Sequence, residues 1–139
     1  MSSSKLFVAV KACIVNDQEE VLLVRESSNY IDGTNTAKYD VVGGRIEPSE
    51  MLLDALKREV KEETGLIVED QQLIDVHDTF NHKHDEIWHI VRLYYKVTCA
   101  EGEIVLSKDH DEYTWVSLRE VQQFPGLIDN LIPTLKKII

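Results

Sequence analysis

Cysteine is scarce in this chain of 139 residues, which contains only Cys13 and Cys99. They lie far apart in apolar runs and fit no metal-binding or redox spacing, so neither a disulfide framework nor a thiolate metal site is expected. Two reduced, buried thiols are the expectation. Three prolines and six glycines, without repeats or low-complexity stretches, exclude collagen-like and linker-rich chains. No apolar run approaches the roughly 20 residues of a membrane-spanning helix. The opening Met-Ser-Ser-Ser-Lys is not followed by the apolar segment of a signal peptide. The expected setting is therefore cytoplasmic, with no membrane partner. Basic residues are outnumbered 15 to 25, giving a net charge of −10. Most of such a surface repels nucleic acid, which is not an expected partner.

What is present suits one soluble domain over residues 1–139, since 43% of residues are hydrophobic and 29% charged. Leu6 to Val15 and Val21 to Val24 are β-friendly runs around the turn-like Asn16-Asp17-Gln18-Glu19, and read as a hairpin. Residues 26–38 are polar and read as a loop. Tyr39 to Val42 is a short strand ending at Gly43-Gly44. Pro48-Ser49 then opens a helix, with Ser49 as N-cap and Glu50 in the first turn, and Gly65 ends it. Leu52, Leu53, Leu56 and Val60 form its apolar stripe. Strands are expected at Leu73–Val76, Ile87–Thr98, Ile104–Leu106 and Tyr113–Val116. Ser117 would cap a helix over Leu118–Gln123. A last helix spans about Asp129 to Lys137, its onset drawn towards Pro133. The class is α+β with a mixed sheet.

The chemistry concentrates in residues 44–66. Glu59, Glu62 and Glu63 are spaced i, i+3, i+4 and share one helix face beside the apolar stripe. Like charges so placed repel and raise each other's pKa, so a counter-charge is required. Arg58 is one partner, and hard cations such as Mg²⁺ take oxygen ligands of this kind. Gly43-Gly44 permits close backbone approach, and Arg45 beside it suits a phosphate oxygen. The competing reading is a solvated, salt-bridged helix.

The complete pattern argues against that alternative. Gly44, Glu50, Arg58, Glu59, Val60, Glu62, Glu63, Gly65 and Leu66 match G-x5-E-x7-R-E-U-x-E-E-x-G-U, with U apolar, at every fixed position. The segment resembles the Nudix box, and the chain looks like a small, MutT-like member of the Nudix hydrolase family. The resemblance implies an α/β/α sandwich, and a divalent-metal-dependent hydrolase, with Mg²⁺ or Mn²⁺, cleaving a phosphoanhydride bond in a nucleoside di- or triphosphate derivative. A nucleoside triphosphate pyrophosphohydrolase is favoured. Carried over by position, Glu59 and Glu63 are the main metal ligands, with Glu62 close behind, and the Gly43 carbonyl is a further ligand. Glu50 supports them and Arg58 orients the glutamates. Val42 stands where the family commonly has Pro.

Weaker signals lie elsewhere. Asp109 or Glu112, in the acidic segment before Trp115, would supply a base or a metal ligand, or else form an acidic surface loop. Arg25, Arg45 and Asn130 are candidate substrate contacts, Asn130 also suiting a helix N-cap. His77, His82, His84, His89 and His110 lack zinc spacing, and solvated positions are expected for His82 and His84. Trp88 and Tyr94 read as core or rim. A homodimer is compatible with all of this. The other readings are a catalytically silent domain that senses a nucleotide or binds a partner, and an RNA 5′-end hydrolase, which the acidic charge disfavours.

Overall fold

The computed structural model describes residues 3–28 and 37–138. Among these, β1 (Ser3–Ile14), β4 (Val42–Arg45), β5 (Val68–Lys83) and β6 (Glu86–Cys99) form one sheet in the order β4-β1-β6-β5. β1 is parallel to β6 and antiparallel to β4, so this sheet is mixed. A second, antiparallel sheet has the order β3-β2-β7, from β2 (Glu20–Glu26), β3 (Tyr39–Asp40) and β7 (His110–Ser117). Among the described residues α1 (Leu52–Thr64) and α2 (Ile132–Lys136) are the two α-helices.

Alternation along the strands creates two cores. Val10, Ala12 and Ile14 of β1 pack with Leu56 and Val60 of α1. Cys13 and Val15 point the other way, into a core closed by Leu131 and Leu135 at the C-terminal end. Strand side chains alternate between faces, so the two helices cover opposite faces. This is the expected α/β/α sandwich. Leu56 is fully buried. Leu56→Ala should therefore cost about 2–5 kcal/mol, read as a lower urea midpoint at unchanged slope.

Several expected elements differ. The first hairpin does not form. The turn at Asn16 exists, its side-chain oxygen accepting the Gln18 and Glu20 amides at 3.1 and 2.9 Å. Beyond the single bridge Val15–Val21, however, β1 and β2 enter different sheets. Both strands bury both faces, and β1 finds its long partner in β6 over twelve residues. Tyr39 to Arg45 likewise serves both sheets, as β3 and β4, with the switch at Val41. Residues 29–36 of the expected loop lie outside the described residues.

The expected strand at Leu73–Val76 is the middle of the much longer β5. That edge strand is half exposed, and a bulge between Leu73 and Asp75 breaks its alternation. Ile104–Leu106 is not a strand, although Ile104 and Leu106 pack on the first core. The Val105 amide instead donates to the Thr64 carbonyl at 2.9 Å, serving the end of α1 rather than a ladder. Leu118–Gln123 yields only a 3₁₀ turn at Val121–Gln123. The last helix begins at Ile132, with Pro133 in its first turn, after a 3₁₀ turn at Asp129–Leu131. Asp75 fastens this end to β5, accepting hydrogen bonds from Thr134 and Lys137 at 2.7 and 2.9 Å. No helix of the described residues is long and apolar enough to cross a membrane.

Candidate active site

α1 starts later than its sequence signals indicate. Met51, extended and without a side-chain cap, precedes it, and Ser49 adopts a left-handed φ of 68°. Glu50 lies before the helix, where its carboxylate accepts the Glu47 amide at 3.0 Å. The loop thus returns Glu50 to Arg58 instead of to the helix dipole. Leu52 and Leu53 are more than a third exposed, and the buried arc runs through Ala55, Leu56, Val60, Glu63 and Thr64. Glu63 is therefore within the apolar stripe, seven residues after Leu56, rather than beside it. Gly65 ends the helix in the left-handed region, as expected.

Arg58 is the hub. It donates to both Glu50 oxygens at 2.7 and 2.9 Å, to Glu59 at 3.0 Å, to Glu62 at 3.2 Å and to the Arg45 carbonyl at 3.3 Å. The bidentate bond holds the Glu50 carboxyl at about 2, well below the usual carboxylate range. The same bond raises the Arg58 guanidinium. Burial raises Glu59 despite Arg58. Glu63 is only 9% exposed, and burial pushes its carboxyl up to about 8, although the Gly43 amide donates to it at 2.8 Å.

The two glycines are required by contact. At Gly43, with φ of 151°, a Cβ would lie 2.2 Å from the Val10 carbonyl oxygen. At Gly44 it would lie 2.6 Å from Glu59 Oε1. The Glu59 carboxylate rests against bare backbone, and a side chain at Gly44 would displace it.

Two clefts meet here. One, of about 840 Å³, contains Arg45, Glu50, Arg58, Glu59, Glu62 and Asp109 in its walls. The other, of about 550 Å³, lies over the four-stranded sheet and includes Lys11, Asp40, Trp88, Arg92, His110 and Asn130. Gly43, Arg45, Glu63 and Asp109 line both. The fold thus brings together Gly43, Arg45, Glu50, Arg58, Glu59, Glu62, Glu63 and Asp109, with Asn130 in the wall of the smaller cleft. Asn130 is exposed in its 3₁₀ turn and caps no helix. Arg25 and Glu112 stand apart. Arg25 pairs with Asp111 at 2.7 Å and Glu112 at 3.0 Å, and neither Arg25 nor Glu112 lines the two clefts.

Among the described residues, no three acidic, His or Cys side chains are gathered as a metal site in this arrangement. Arg58 holds Glu59 and Glu62, and Gly43 holds Glu63. The donors nevertheless suit a hard divalent ion, being carboxylates with a nearby backbone carbonyl. The buried Glu63 also lacks a full counter-charge when ionised. An ion would take Glu59 and Glu62 in exchange for Arg58.

Sequence reasoning passed over Lys11, Asp40 and Arg92, and weighed His110 only as a zinc ligand. Lys11 and Arg92 carry a visible signal, Lys11 as the lone cation of the run Leu6–Val15 and Arg92 as one of two, with Lys96, in Ile87–Thr98. Lys11 is held at 2.9 Å by Asp40. His110 is half-buried, its pKa lowered by burial and by Lys11. His82 lies on β5 and joins the second cleft. His84 and Asp85 form the tight β5–β6 turn, with φ of 52° and 59°. Tyr94 is core, and Trp88 is half-buried in the cleft wall.

Comparison with known proteins bears on the family and the fold. The NUDIX domain model matches residues 5–137. The chain is 33% identical to the 8-oxo-dGDP phosphatase NUDT18 of Mus musculus over 102 residues, which is 73% of this chain but 28% of that protein. It is 28% identical to the ADP-ribose pyrophosphatase of Methanocaldococcus jannaschii over 82% of this chain and 63% of that one. The chain thus spans only about a quarter of the mouse relative. Among solved structures, the MutT NUDIX hydrolase of Burkholderia pseudomallei superposes with a TM-score of 0.78 at 22% identity, covering 97% of this chain and 99% of that one. The MutT protein of Methanosarcina mazei gives 0.74 at 27%, covering 98% and 94%. With the family model matched across both sheets and both helices, the chain belongs to the NUDIX domain family.

Proposed function

We propose that this chain hydrolyses a phosphoanhydride bond in a nucleoside di- or triphosphate derivative, with Mg²⁺ or Mn²⁺ bound at Glu59, Glu62, Glu63 and the Gly43 carbonyl. The observation that carries this reading is the buried Glu63 beside Glu59, at the junction of two clefts large enough for groups on either side of an anhydride. When bound, the ion would neutralise the anhydride oxygens and polarise phosphorus. Glu50 fixes Arg58, which holds Glu59 and Glu62 until an ion takes them. Arg45 offers its guanidinium to a phosphate oxygen. Asp109, in the wall of both clefts, accepts the proton of the attacking water. The new bond forms between water oxygen and phosphorus, and the bridging oxygen departs with the electron pair of its broken P–O bond.

The relatives named above act on 8-oxo-dGDP and ADP-ribose, and another, from Klebsiella pneumoniae, is a nucleoside triphosphatase. Among these, a nucleoside triphosphate is the substrate we favour. Cys13 and Cys99 are free thiols, which accords with a cytoplasmic setting. Purified protein should convert at least one member of a nucleotide panel with Mg²⁺ or Mn²⁺, and none in excess chelator, read by product chromatography. Turnover that persists in chelator would refute the metal-dependent reading. A silent panel with retained nucleotide binding would instead support the sensor.

A further inference from the structure

The sheet face under the smaller cleft carries a second set of charges, with Arg45 at the start of the Nudix box and Arg92 outside it. Strand register places them. Ala9 of β1 is flanked by Arg45 of β4 on one side and Arg92 of β6 on the other. Adjacent strands lie about 4.8 Å apart, so the two arginines originate roughly 10 Å from each other across a residue with only a methyl side chain. Both side chains line the same cleft.

Each is held by its neighbours without being neutralised. The Arg45 guanidinium lies 4.3 Å from the Phe7 ring centroid and 5.4 Å from that of Trp88. Phe7 and Trp88 brace one another edge to face at 5.0 Å. Arg92 donates to the Thr79 hydroxyl at 2.7 Å. Among the described residues neither guanidinium has a carboxylate partner, although the chain carries an excess of ten negative charges. The acidic groups of the cleft form no ion pair with either guanidinium. Asp40 is taken by Lys11, Glu63 and Asp109 line the junction with the larger cleft, and Glu26 and Asp129 complete the acidic lining. The half-buried Arg92 cation thus lacks the pairing that such charges ordinarily have.

We propose that Arg92 and Arg45 form a phosphate clamp over Ala9 that holds the part of a polyphosphate chain lying away from the glutamates. A guanidinium presents several N–H donors in a fixed plane, which suits phosphate oxygens. Phe7, Trp88 and Thr79 are positioning residues that set the direction of the two planes. The clamp deepens the proposed hydrolase reading, on which its role in turnover rests, by favouring substrates with a charged phosphate beyond the bond to be cut. Binding by the clamp does not itself depend on metal or on hydrolysis.

The test is calorimetric binding of inorganic tripolyphosphate to the full chain in chelator at low salt. Wild type should bind. Arg92→Gln, which retains a donor for Thr79, should weaken binding roughly ten- to hundredfold, as expected for loss of a charged hydrogen-bonding group. Arg92→Lys should recover part of the loss. Arg119→Gln, on the exposed surface outside the cleft, should bind as wild type does, and melting curves of all variants should coincide within a few degrees. Absence of binding by wild type would overturn the clamp, as would equal affinities of wild type and Arg92→Gln. So would a guanosine site lost in Arg92→Gln while tripolyphosphate binding is unchanged, because Arg92 would then read a base. Failure of the hydrolase reading is separate, and appears as a nucleotide panel that stays intact with metal present.

Discussion

Glu63→Gln should lower turnover roughly 10³-fold while leaving the metal-free protein no less stable than wild type. The two expectations share one cause. Glu63 is buried in the apolar stripe of α1, and its carboxyl is pushed up to about 8 from 4.5. Between these values the folded state retains a proton that the unfolded state releases. The stability associated with that proton is fully present below pH 4.5 and is lost as pH rises through about 8. Gln carries no such charge and keeps an oxygen to accept the Gly43 amide. The melting temperature of Glu63→Gln relative to metal-free wild type should therefore rise across this window and level off above it. Added Mg²⁺ or Mn²⁺ reverses the order, because an ion that binds only the folded state stabilises it. Wild type should melt higher with millimolar metal, and the variant should lose most of that gain. Calorimetry from pH 5 to 9, with and without metal, measures both effects. A full metal-induced shift and near-normal turnover in Glu63→Gln would remove Glu63 from the ligand set.

The second large effect is expected at Asp109. Asp109→Asn should reduce turnover about 10²-fold or more, the typical contribution of a positioned base. Glu112→Gln should stay within about twofold, a difference too small to correspond to a lost catalytic interaction. Both residues are in the same acidic segment, and the fold separates them. Asp109 lines both clefts with Glu63, whereas Glu112 pairs with Arg25 at 3.0 Å outside them. Steady-state rates of the two amide variants under identical metal conditions test the distinction. A severe defect at Glu112 with none at Asp109 would reverse the assignment.

Legibility in the sequence followed the range of the interaction involved. Helix spacing is local, so the shared face of Glu59, Glu62 and Glu63 was readable, as was the stop at Gly65. The start of α1 was not. Ser49 and Glu50 have the chemistry of a helix N-terminus, but the long-range bond from Glu50 to Arg58 uses the carboxylate instead. Local alternation also misled at Ile104–Leu106, where the backbone serves the end of α1, and at the first turn, where strand runs in the right order entered different sheets. The polar stretches of β5 concealed most of a strand because an edge strand need not be apolar.

Residue order alone determined the α+β class, the glutamate helix and the family, because each rests on spacing within single segments read one at a time. Tertiary structure decided which charges share a cleft. Lys11, Arg92 and Asp109 come from three separate strands or loops and meet Glu63 or Arg45 only through sheet register and the crossing of the chain at Val41. Register depends on which apolar faces are buried together, and that is a property of the whole fold.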